Sequence, residues 1–202
     1  EGHSESVASI QFSPDGSRVV SSARNGTIRV WDTRSGKPLV GRVPRTIGLD
    51  NSPDSFIVTD VSSDGTRIAS GSYDGSIHIW DYETGQIVLS PLIAPDTDTS
   101  LELVSFSSDG SRLISGSRYG VICIWGTRSD DLSFGPLEAH KRMITSISFS
   151  PDNAYFISSP GDGTLCLWDT QIRMSTPSSL AGHTRFVLSV EFLPDGSRII
   201  SG

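Results

Sequence analysis

Four tryptophans, Trp31, Trp80, Trp125 and Trp168, follow one another at steps of 49, 45 and 43 residues, and this near-constant period constrains the fold more than any other feature of the chain. Sixteen residues before each tryptophan stands an aspartate in a short polar turn: Asp15, Asp64, Asp109 and Asp152, followed by Gly16, Gly65, Gly110 and Asn153. Asp195-Gly196 opens a fifth copy, and twelve residues before three of the five turns is a histidine, at His3, His140 and His183. A repeat of this length is one supersecondary unit that cannot bury its apolar face alone and stacks on its neighbours.

Between the markers the apolar residues recur every second position, the signature of short strands. In the first copy Val7, Ile10 and Phe12 precede the turn SPDG, Val19 and Val20 follow it, and Ile28 and Val30 lead into Trp31. The same columns carry Phe56 and Val61, Leu101 and Phe106, Ile144 and Phe149, and Val187 and Phe192. A second turn recurs as Arg24-Asn25-Gly26, Tyr73-Asp74-Gly75, Arg118-Tyr119-Gly120 and Gly161-Asp162-Gly163, residue types that tolerate the positive φ of tight hairpins. Each copy therefore reads as an antiparallel meander of three clear strands and a weaker fourth after the tryptophan, in segments such as GKPLV and GQIVLS. The fold class is all-β, built from four complete repeats, about residues 1–45, 46–94, 95–138 and 139–181, and a partial fifth over 182–202.

Composition narrows the function. A formal charge of −7 and a pI near 5.0 leave no basic face for a phosphate backbone, so no nucleic-acid partner is expected. No apolar run reaches the roughly 20 residues of a membrane helix. Cys123 and Cys166 occupy one column, two before Trp125 and Trp168, in neighbouring repeats, too far apart for a disulfide; two free, buried thiols are expected. The N-terminal EGHSESVASI has neither a basic nor an apolar signal region, and the setting reads as intracellular, in the cytoplasm.

These strings, among them FSPDGSRVVSSARNGTIRVWD and VSSDGTRIASGSYDGSIHIWD, with Gly2-His3, Gly182-His183 and the Trp-Asp pairs at 31, 80 and 168, resemble the WD-repeat β-propellers over essentially the whole chain. The resemblance implies four-stranded blades held by a tetrad: a His before the first strand, a Ser on the second, an Asp in the second-to-third turn and the Trp of the third. Carried over, the fourth repeat has His140, Ser158, Asp162 and Trp168. The first has His3, Ser21 and Trp31 with Asn25 at the aspartate position; the second has Ser70, Asp74 and Trp80 with Ser52 for the histidine. The third keeps Ser115 and Trp125 with Thr97 and Tyr119 in the other places, and His183 starts the fifth. The family closes rings of blades, so four copies and a part of a fifth imply either a piece of a longer propeller or a ring completed by self-association. More weakly, the linkers GKPLVG and FGPLEAH are similar to the arrays that follow a NACHT module in fungal signalling proteins.

The candidate chemistry is sparse. The histidines and turn aspartates recur one per repeat, which makes them scaffold and not catalytic bases, zinc ligands or a paired-carboxylate site; no metal and no cofactor is called for. His78, two before Trp80, lies in a strand and either packs or points outward. None of the 36 serines sits in a G-x-S-x-G elbow. Arg18, Arg67, Arg112 and Arg198, three residues after each turn aspartate, read as exposed charges of little energetic weight. Two columns differ between copies instead of repeating: Arg24, Tyr73, Arg118 and Gly161 in the second turn, and Ser6, Ser55, Ser100, Met143 and Phe186 just before the first strand. Arg, Tyr, Met and Phe anchor interfaces. Ser6, Arg24, Tyr73, Arg118, Met143 and Phe186 are the candidate partner-binding residues, on the face shared by the second turns and the connections between repeats, one of which carries an insertion, VGRVPRTIGLDNSPDS. The expected function is a non-enzymatic protein- or peptide-binding scaffold, with a carbohydrate- or small-molecule-binding propeller as the alternative.

Overall fold

The computed structural model describes residues 2–39, 57–93, 100–128, 132–171, 178–180 and 182–202. The insertion in the first connection, with Ser52 and Ser55, and also Phe56 and Thr97, lie outside them. Each repeat forms its own antiparallel sheet in chain order. The first contains β1 (Val7–Phe12), β2 (Arg18–Ala23) and β3 (Ile28–Asp32), extended by a single bridge between Trp31 and Pro38. The second contains β4 (Ile57–Val61), β5 (Arg67–Ser72), β6 (Ser76–Asp81) and the short β7 (Leu92–Ile93). The third runs β8 (Leu101–Phe106), β9 (Arg112–Ser117), β10 (Val121–Gly126) and β11 (Leu132–Glu138), and the fourth β12 (Ile144–Phe149), β13 (Tyr155–Pro160), β14 (Leu165–Asp169) and β15 (Ser178–Leu180). Paired β16 (Val190–Phe192) and β17 (Ile199–Ser201) make the fifth. These are propeller blades in an open array, and among the described residues there is no helix and no closed sheet.

The local chemistry of the first hairpin is the same in the first four repeats, while the fifth has Leu193 at the serine position. Ser13, Ser62, Ser107 and Ser150 each donate a hydroxyl hydrogen bond to the turn aspartate two residues on, at 2.5–2.6 Å, and accept the backbone N–H at the start of the next strand. The aspartate takes further hydrogen bonds from the residue two positions later, as Asp15 does from Ser17. Those bonds hold the carboxyls of Asp15 and Asp64 down at about 2. The turn is thereby held by contacts within its own hairpin. Asn153, which replaces the turn glycine in the fourth repeat, takes the same left-handed conformation at φ 58°, and its side chain accepts from Ser108 of the third blade.

The core lies between blades. First strands of consecutive blades lie side by side, β1 against β4, β4 against β8, β8 against β12 and β12 against β16, so the sheets fan out from one inner edge. Alternation along each second strand then sends neighbouring residues into different cores. In β13, Phe156 packs backwards with Ile114, Ile122, Ile124 and Trp168, while Ile157 packs forwards with Leu165, Val187 and Val190. Trp80, Trp125 and Trp168 are all buried against the preceding blade. Trp31 has no such cover and is half-buried, and Ile10 and Phe12 of β1 are 64% and 65% exposed. At the other end Leu188 and Ile200 are exposed as well. Both outer blade faces therefore present apolar side chains of the type that elsewhere in the molecule is buried.

Two of the recurrent arginines do more than the sequence suggests. Arg18 of β2 pairs with Glu83 of the second repeat at 2.8 Å and lies over the Tyr82 ring. Arg67 of β5 donates to the carbonyls of Thr127 and Gly110 in the third repeat, at 3.1 and 2.8 Å, and lies over Phe106. They tie adjacent blades together, because the residue three after the turn aspartate projects along the blade seam; the reading of these two as mere surface charges is corrected. Cys123 and Cys166 form no disulfide and are buried, each in an inter-blade core.

Candidate functional site

The residues that repeat make an internal hydrogen-bonded string. Trp31, Trp80, Trp125 and Trp168 each donate the indole N–H to the second-strand serine ten residues earlier, Ser21, Ser70, Ser115 and Ser158, at 2.7–3.0 Å. In the first and fourth repeats the same serine hydroxyl is bonded to Nε2 of His3 and His140, both at 2.7 Å, and His183 bonds Ser201 in the fifth. Ser201 is the second-strand serine of that repeat, a position the sequence pattern allows but which its partial length hides.

The far end of the string differs between repeats. Nδ1 of His3 contacts Thr27 Oγ1 at 2.9 Å, and that hydroxyl bonds Asn25 Oδ1 at 2.8 Å. A threonine two residues on thus links the histidine to the asparagine that stands in place of aspartate. In the fourth repeat Asp162 accepts from the N–H and hydroxyl of Thr164 and acts on His140 through its charge. Burial nevertheless pushes His140 down to about 4, leaving it neutral, and burial lowers His3 as well, helped by the charge of Arg29. In the second repeat, His78 is buried in the third strand and stacks on Trp80 at 5.7 Å, with the charge of Asp74 acting on it. His78 therefore supplies an imidazole beside the tryptophan in the repeat whose sequence has Ser52 at the histidine position.

The two variable columns meet at the loop face. The backbone N–H of Arg24 donates to the carbonyl of Ser6, that of Arg118 to Ser100 and that of Gly161 to Met143, at 2.8–2.9 Å. The second turns of these three repeats are thereby clipped to the approach to their own first strands, which holds the two variable columns in pairs. Ser6, Arg24, Tyr73, Arg118, Met143 and Phe186 are all exposed. Ser100 is buried instead, its hydroxyl without a partner among the described residues.

Between the fourth and fifth repeats this face carries a groove of about 470 Å³ lined by Arg142, Gly161, Asp162, Thr184, Arg185 and Phe186. Gly161 makes room for it: a Cβ there would stand 3.3 Å from the Phe186 ring and 3.6 Å from Met143. Arg142 and Arg185 escape the column comparison because they stand one position before Met143 and Phe186. The equivalent residue in the first repeat is Glu5, and that change of sign is the signal that would have found them.

An array of four-stranded blades with repeated hydrogen-bonded interiors and variable rims defines a repeat-built propeller of the interaction-scaffold type. The chain matches the WD domain, G-beta repeat family over residues 1–32, 46–81, 99–126, 133–169 and 174–202, and it belongs to that family. Two curated relatives are similar over short stretches. Periodic tryptophan protein 2 of Saccharomyces cerevisiae is 53% identical over 36 residues, 18% of this chain and 4% of that protein. Vegetative incompatibility protein HET-E-1 of Podospora anserina is 56% identical over 36 residues, 18% of this chain and 3% of that protein. The matched stretches are thus less than one repeat period long and cover a small part of either relative.

Proposed function

We propose that the chain is a non-enzymatic scaffold that holds a protein or peptide partner on its loop face. The observation that carries this reading is the pairwise clipping of the two variable columns. It presents exposed Arg24, Arg118 and Met143 from a rigid rim, while the histidines and serines are occupied in the interior. Rims that vary on a constant framework are where repeat scaffolds place recognition. The composition suits an intracellular, cytoplasmic setting. The similarity to the Podospora vegetative incompatibility protein favours service as the sensing part of a larger signalling protein.

A sugar-binding alternative would use aromatic platforms recurring from blade to blade. Tyr73 and Tyr119 are exposed at the loop face but in different columns, Tyr82 is buried, and Tyr155 stands beside the opposite turn. Selection of peptides from a random display library tests the choice directly. Binding that falls for Arg24→Ala, Tyr73→Ala or Arg118→Ala and persists for Arg112→Ala and Arg198→Ala supports the scaffold; binding confined to a glycan array supports the alternative.

The apolar outer faces form a second contact surface in this reading. Ile10 and Phe12 at one end, and Leu188 and Ile200 at the other, are covered in this reading by further blades that complete the ring, of the same polypeptide or, on self-association, of another copy. Light scattering should show a molar mass that rises with concentration and is lowered by Ile10→Lys; a monomer indifferent to that change would remove self-association from the account.

A further inference from the structure

The chain is acidic as a whole, with 23 carboxylates against 16 cations, but one part of the loop face is not. The turn aspartates Asp15, Asp64, Asp109, Asp152 and Asp195 recur on the rim opposite the loop face. The two connections that approach the fourth and fifth blades, residues 140–143 and 183–186, carry Lys141, Arg142 and Arg185 and no acid. All three cations are exposed.

Their charges frame an apolar floor. Phe186 is 62% exposed although its ring lies close over Gly161, and Met143 beside it is 41% exposed. An aromatic ring and a thioether side chain left open to solvent on a polar rim are what an interface anchor looks like before its partner arrives. The one carboxylate lining the groove, Asp162, is already engaged. Against burial, the hydroxyl and N–H of Thr164 and, to a lesser extent, the charge of Arg142 hold it below the usual carboxylate range. It orients Thr164 and its own turn more than it answers the arginines across the groove.

We infer that the groove between the fourth and fifth repeats takes an acidic peptide segment, with an apolar side chain seated on Phe186 and Met143 over Gly161 and flanking carboxylates paired with Arg142 and Arg185. This rests on the loop-face reading above and adds the chemistry of the partner. Arginine suits the role because its planar fork pairs carboxylates bidentately at a rim where a lysine would offer only a compact, strongly hydrated point charge. The apolar anchor supplies affinity and the charged pair supplies selection and speed of encounter.

The test uses the whole chain and the same random peptide library, with no assumption about sequence. Selected peptides should be enriched in Asp and Glu around one Leu, Met or aromatic residue. The double change R142E/R185E should weaken them by about tenfold or more, as loss of paired interface charges does, and should favour synthetic peptides in which the acids are exchanged for lysine. Phe186→Ala should abolish the preference for the apolar residue, and Gly161→Val, which intrudes under Phe186, should act likewise. Thermal melts check that each variant folds, and if the double reversal does not, the neutral changes R142Q and R185Q separately should each weaken the acidic peptides. Neutral or basic peptides that still depend on loop-face side chains would overturn this inference while leaving the scaffold in place. Peptides indifferent to every loop-face change, or no enrichment at all, would overturn the scaffold reading itself. Heparin or nucleic acid binding as tightly as the peptides would show attraction by charge alone and would likewise contradict a peptide groove.

Discussion

At the level of single residues, the second-strand serine decides how well each blade is held. Ser158 receives the indole N–H of Trp168 and bonds His140, whereas among the described residues Ser115 receives Trp125. Removing a hydroxyl strands buried partners, which costs more than the bond itself is worth. Ser158→Ala should therefore lose about 2–4 kcal/mol and Ser115→Ala about 1–2 kcal/mol, read by chemical denaturation. Equal losses would mean that the histidine adds nothing to the string.

Asp60 of β4 is the residue that the repeat pattern hid. Its carboxylate accepts the backbone N–H of Phe106 at 2.7 Å across the seam to β8, and burial pushes it up to about 6 in spite of hydrogen bonds from Phe106, Val61 and Ser105. A carboxyl raised on folding binds its proton more tightly in the folded state, so acidification from pH 7.5 to 5 adds stability through Asp60. His140 works the other way: held neutral at about 4, it costs stability as pH falls from 6.5. Compared with Asp60→Asn, the unaltered chain should thus gain about 1–2 kcal/mol between pH 7.5 and pH 5, measured by denaturation of both at each pH. A constant difference would refute a buried charge at that seam. Nothing in the sequence marks Asp60, because it departs from the column instead of repeating in it.

The elements were largely legible from sequence because their signals are local. The serine–aspartate turns fix the first hairpins, and the alternation on either side places the strands. What could not be read is the fit between elements. The first strands of the first, third and fourth blades carry a bulge one residue in, between Val7 and Ser9, Leu101 and Leu103, and Ile144 and Ser146, which depends on the approach of the second turn and has no sequence mark of its own. Gly120 shows the same dependence. Its φ of 85° resembles the 66° of Gly16, but a Cβ on Gly120 would run into the carbonyl of His140, while one on Gly16 meets nothing. Both Gly→Ala changes bear the left-handed strain of about 1 kcal/mol, and only Gly120→Ala should also dislodge the third blade from the connection to the fourth. Thermal denaturation should rank Gly120→Ala well below Gly16→Ala; the same melting temperature for both would show that the contact yields freely.

For the molecule as a whole, burial follows the order of the blades: every core is shared by two neighbours, and the end faces stay open. The same stacking that makes the interior interchangeable leaves the rims free to differ, and the sequence foretold which columns differ but not that two arginines and a glycine would turn one of them into a groove. Recognition at the loop face is the central claim. Its most direct measurement is hydrogen exchange of the chain with and without a library-selected peptide. The account predicts slowed exchange in residues 118–120, 140–143, 161–163 and 183–186. Slowed exchange confined to the turns at Asp64, Asp109, Asp152 and Asp195 would place the partner on the opposite rim and contradict it.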